Sequence, residues 1–111
     1  MSVCFSGAYT DSNLARKVYQ FFESKYTFME YYVVEIYHCD LTEDNVKGWQ
    51  DKNDDDFLIH IDTNLSKDEY IKTIFHELVH CIQDINGVND NEIRESEAYK
   101  LEEVYYGGFI L

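Results

Sequence analysis

The stretch Ser66-Lys67-Asp68-Glu69-Tyr70-Ile71-Lys72-Thr73-Ile74-Phe75-His76-Glu77-Leu78-Val79-His80-Cys81-Ile82-Gln83-Asp84-Ile85-Asn86-Gly87 decides how this chain is read. Ser66 and Glu69 stand three apart, the spacing at which a Ser side chain and a Glu side chain cap the first turn of a helix. Asn86-Gly87 is a left-handed stop. No Gly or Pro interrupts the run between them. Ile71, Phe75, Leu78, Ile82 and Ile85 recur at helical spacing, which predicts one apolar face turned to a core. His76 and His80 fall on the opposite side, with Thr73, Gln83 and Asp84 near them, so the pair is expected to face a cleft.

His76-Glu77-Leu78-Val79-His80 reads H-E-x-x-H. Residues four apart on a helix lie one turn above each other, so two imidazoles at this spacing can bind one Zn²⁺. The Glu beside the first His can then act as general base on a water held there. His76 and His80 are thus candidate metal ligands and Glu77 the candidate catalytic residue.

The rest of the chain frames this helix. Its 111 residues predict a single domain, 1–111. The net charge of −13, from 22 acidic against 9 basic side chains, argues against nucleic acid or an anionic membrane as partner. It would instead attract basic segments of a peptide. Cys4, Cys39 and Cys81 form neither a C-x-x-C pair nor an even set, which points to reduced thiols and a cytoplasmic setting. No signal-like segment or membrane-length apolar run is expected.

Val3-Cys4-Phe5 reads as a short strand. Thr10-Asp11-Ser12 reads as a cap for a helix over 12–24. Tyr31 to Cys39 and Phe57 to Ile61 read as strands, and Val46 to Trp49 as a shorter one. Residues 51–56 read as an exposed loop or hairpin tip. Asn89-Asp90-Asn91 should cap a last helix over 91–106, stopped by Gly107-Gly108. The expected fold is α+β: a small twisted sheet packed on an N-terminal helix and a C-terminal pair of helices.

Catalytic zinc usually takes three protein ligands and keeps a fourth position open. The last helix offers Glu95 and Glu97 in Arg94-Glu95-Ser96-Glu97-Ala98-Tyr99. Periodicity slightly favours Glu97, which shares the more apolar side with Ile93, Leu101 and Val104.

These residues resemble the zinc metallopeptidases called zincins. H-E-x-x-H followed by a downstream Glu is similar to the gluzincin branch. Glu95-Ser96-Glu97-Ala98 looks like the E-x-E-A segment of membrane-embedded gluzincins and their minimal soluble relatives, the minigluzincins. The resemblance covers about residues 57–106 and implies Glu95 as third ligand, with Glu97 the alternate. It departs at Tyr99, where the family usually has Asp or Asn supporting a ligand His.

The implied activity is that of a small zinc metalloendopeptidase, a hydrolase acting on a peptide or protein substrate through a zinc-bound water with Glu77 as base. Tyr99, Tyr105 and His60 are the candidates for stabilising the oxyanion. Asp62 and Asp84 are the candidates for supporting a ligand imidazole. Phe57 to Ile61 would pair with an extended substrate, and the tail Gly108 to Leu111 could close the cleft and make the enzyme latent. Two alternatives accompany this reading. One is a catalytically silent, zinc-containing binding or inhibitory module. The other is a hydrolase of the deformylase kind, with Cys39 as upstream ligand.

Overall fold

The computed structural model describes residues 3–7, 12–53 and 56–111. Strand β1 (Val3–Gly7) is followed by helix α1 (Ser12–Glu23), a 3₁₀ turn (Thr27–Tyr31) and β2 (Val33–Cys39). A second 3₁₀ turn (Thr42–Asp44) leads to β3 (Gly48–Asn53), β4 (Asp56–Asp62), α2 (Lys67–Ile85) and α3 (Asn91–Phe109). The predicted α+β class, with an N-terminal helix and a C-terminal helix pair on a small sheet, is the observed one. The proposed cap at Thr10-Asp11 and the hairpin tip at 54–55 lie outside the described residues.

The sheet has the order β1-β2-β4-β3. β1, β2 and β4 run parallel, and β3 returns antiparallel to β4. Period-two alternation sends Val34 and Ile36 of β2, and Phe57, Ile59 and Ile61 of β4, into the core. Tyr37, His60 and Trp49 stand on the opposite face. β4 is therefore an interior strand with both edges used; among the described residues the end strands are β1 and β3, and β3 is the one that lines the cleft. This corrects the expectation that Phe57 to Ile61 offers a free edge. Residues 51–53, read as loop from their polarity, belong to β3. An edge strand can carry Asp51 and Lys52 out to water without burying either.

α2 lies at the centre. Ser66 accepts from the Glu69 N–H, as the capping pattern predicted. At the other end Gly87 takes φ 73°, Val88 N–H reaches the Gln83 carbonyl and Gly87 N–H the Asp84 carbonyl, a Schellman stop. The apolar face is buried as expected at Ile71, Phe75, Leu78 and Ile82. Burial does not stop at one face, however. Thr73, His76, Glu77, His80 and Gln83 are buried too, because α3 and β3 pack across that side of the helix.

α3 begins at Asp90, whose side chain accepts from Ile93 N–H. It does not stop at Gly107-Gly108 but runs to Phe109. The Phe109 ring packs against Phe21 and Phe75, which holds the last turn in place.

Gly48 fixes how closely β3 approaches α2. A Cβ there would lie 2.7 Å from the His60 carbonyl oxygen and 2.9 Å from Thr73 Cγ2. Gly48→Ala is therefore expected to destabilise the chain by about 1–3 kcal/mol through overpacking. The check is the midpoint shift in urea unfolding.

Candidate metal centre

α2 and α3 bring three ligand atoms together. His76 Nε2 lies 3.5 Å and His80 Nε2 2.9 Å from the two oxygens of Glu95. Ligands bonded at about 2.0–2.1 Å around a tetrahedral ion stand roughly 3.3 Å apart, so this spacing suits one ion. His76, His80 and Glu95 form a group that could hold a metal ion.

The hydrogen bonds behind the ligands decide which ring nitrogens are free to bind. Gln83 Nε2 donates to the Arg94 carbonyl and to Glu97, both at 3.0 Å, which turns Gln83 Oε1 toward His80. His80 Nδ1 donates to that oxygen at 2.7 Å. His76 Nδ1 donates to Glu102 Oε1 at 2.8 Å. With the proton on Nδ1, each neutral imidazole presents a bare lone pair at Nε2. Two lone pairs and a carboxylate then converge with no donor among them. Such a set could hold a cation, and the residues present fit one.

Glu95 is the acid that the structure brings to the histidines; Glu97 is not. Glu95, Ala98 and Glu102 recur at offsets of three and four and share the α3 face against α2, with Ala98 fully buried between the acids. Periodicity misled because this inward face is acidic, whereas the apolar residues that seemed to mark it, Ile93 and Val104, are more than half exposed. Glu97 contributes at one remove, by orienting Gln83.

The support for His76 missing at Tyr99 comes one turn later, from Glu102, which the sequence reading did not single out. The signal was available as a second acid two turns after Glu95. Glu102→Ala is expected to weaken metal binding roughly 10–100-fold, since the imidazole loses its orienting acceptor. Competition against a chromophoric chelator would measure it.

The cleft above these residues encloses about 590 Å³ and is lined by Gly48, Trp49 and Gln50 of β3, by Glu77 of α2 and by Tyr99 of α3, among others. Tyr99 sits with its ring 4.7 Å from that of His76. Of the three oxyanion candidates it alone reaches the cleft. Tyr105 is bonded to Tyr26 and packed on Phe22 and Phe75, and His60 is stacked on Trp49 on the outer face of the sheet.

The two acids expected to support an imidazole do other work. Asp84 receives Arg94 and Gln50, and Asp62 receives the Leu41 N–H and Asn64. Cys39 ends β2 near Asp62, Asp44 and Asp40, outside the cleft lining. None of residues 107–111 lines the cleft.

Glu77 is buried, and burial pushes its carboxyl up to about 8, with the Glu95 and Glu102 charges adding to the effect. In the metal-free chain this group thus binds a proton from about pH 4.5 to 8 that the unfolded chain releases. Its stabilising contribution is complete at low pH and is lost as pH rises through 8. Glu77→Gln should flatten that part of the melting-temperature profile of the metal-free protein and make it the more stable form at pH 9.

No protein-family model, curated protein or solved structure matches this chain. No helix among the described residues is long and apolar enough to cross a membrane.

Proposed function

We propose that the chain is a small zinc-dependent metallopeptidase of gluzincin type. The observation that carries this reading is the convergence of His76 Nε2, His80 Nε2 and Glu95 beside the buried Glu77 carboxylate, in a cleft bounded by a free strand edge. A nitrogen-rich set with one carboxylate and three protein ligands suits zinc at a catalytic site. When bound there, zinc supplies a Lewis acid that acidifies water and polarises a carbonyl.

The chain's own groups supply the rest. Glu77 takes the proton of the attacking water and returns it to the leaving amine. Burial beside Glu95 raises the Glu77 carboxyl's affinity for a proton, and the positive charge of a metal in the site would offset that shift and leave the group ionised to act as base. The Tyr99 hydroxyl is the cleft's candidate donor to the developing oxyanion. β3 offers unpaired backbone groups to an extended peptide, by the same geometry that adds a strand to a sheet. β3, rather than β4, takes the substrate-pairing role.

The test is cleavage of an unfolded protein by the zinc-loaded chain, compared with its Glu77→Gln variant. The competing reading, a zinc-holding module that binds without turnover, is favoured by the small size of the domain. It predicts metal-dependent binding of the same protein with no cleavage by either form.

A further inference from the structure

The outer side of β3 carries two residues that the metal centre does not use. Trp49 lies in register with His60, and the two rings are stacked at 3.8 Å and 5°. His60 thus covers one face of the indole. β3 is an edge strand, so among the described residues no strand lies beyond Trp49. Among the described residues no other ring packs on its second face, and Trp49 keeps 40% of its surface exposed. Asp51 follows two residues later on the same side of the strand, about 7 Å along it. It is exposed, and among the described residues it forms no salt bridge with a Lys or Arg; its charge acts on the neighbouring His60 ring.

Trp49 also lines the cleft with Gly48 and Gln50. A peptide laid along β3 would alternate its side chains, one set toward α2 and the metal centre, the other past Trp49 and Asp51. An open indole face with a carboxylate beside it matches a guanidinium, which stacks through its plane and forks its N–H groups to an acid. The chain's charge of −13 works in the same direction.

We propose that Trp49 and Asp51 form a seat for a basic side chain, arginine above all, on a peptide lying along the free edge of β3. This rests on the reading of β3 as the strand that pairs with substrate. It adds the substrate class: extended segments with an arginine on the side facing away from the metal.

Trp49 is the only tryptophan, so its emission reports the seat directly. The probes are capped octapeptides of alanine and serine in which Arg, Gln or Phe occupies each position in turn. They are titrated into the zinc-loaded Glu77→Gln protein. At one or two positions the Arg peptide should change Trp49 emission and bind about tenfold more tightly than its Gln counterpart. Asp51→Asn should remove most of that preference.

An equal or stronger response to Phe would make the indole a plain apolar seat and overturn the proposal. So would an Arg preference untouched by Asp51→Asn, which would belong to the acids inside the cleft. Silence toward every peptide would overturn it as well. Binding is read without turnover. If the unsubstituted protein fails to cleave the same peptides while the Arg preference holds, the peptidase reading fails and the basic seat stands.

Discussion

Glu77→Gln is expected to lower kcat for cleavage of an unfolded protein by roughly 10²–10⁴-fold, the usual contribution of a positioned base. The substitution keeps the side chain's size and removes its ability to take a proton. Glu77 is not one of the three converging ligand atoms, so the variant should still bind metal. That separation makes the experiment decisive: activity falls while metal content, measured by elemental analysis, stays. Equal cleavage by both forms would remove Glu77 as the base. Absence of cleavage in both would leave the metal-holding binding module as the better account.

The second large effect concerns stability. The three ligand atoms come from two helices, and Glu95 is the one that α3 contributes. An ion held by all three therefore binds the folded chain and not the unfolded one. At a free metal concentration a thousandfold above Kd this linkage is worth about 4 kcal/mol, or a Tm shift of roughly 4–8 °C per kcal/mol for a domain near this size. Chelation should lower Tm by that amount, and Glu95→Gln should abolish the difference between metal-loaded and metal-free protein. Glu97→Gln and Cys39→Ser should preserve it, since neither residue is among the converging atoms. Loss of the metal effect in the Cys39 variant alone would overturn the ligand set.

Much of this was legible before any coordinates. The Ser66 cap, the Gly87 stop and the two histidines on one helix are local features, written in residues no more than about one turn apart. The same holds for the cap at Asp90 and for the strands expected over 31–39 and 57–61, which the structure places at 33–39 and 56–62, Tyr31 closing the 3₁₀ turn instead. The errors share a cause. Sequence alone ends β3 at Trp49, short of Asn53, because acidic residues on an edge strand look like loop. It likewise ends α3 at residue 106, three short of Phe109, because Gly107-Gly108 looks like a terminus until Phe109 finds Phe21 and Phe75.

The sequence alone determined the α+β class, the motif helix with its two histidines and Glu77, and the short set of acids from which a third ligand could come. Tertiary structure decided between Glu95 and Glu97, supplied Glu102 and Gln83 as the acceptors behind the two rings, and made β3 the edge of the cleft. Helical periodicity reports which residues share a face, but not which neighbour that face meets. On α3 the inward face is polar, because it meets two imidazoles rather than a hydrophobic core. Only packing α3 against α2 could show that.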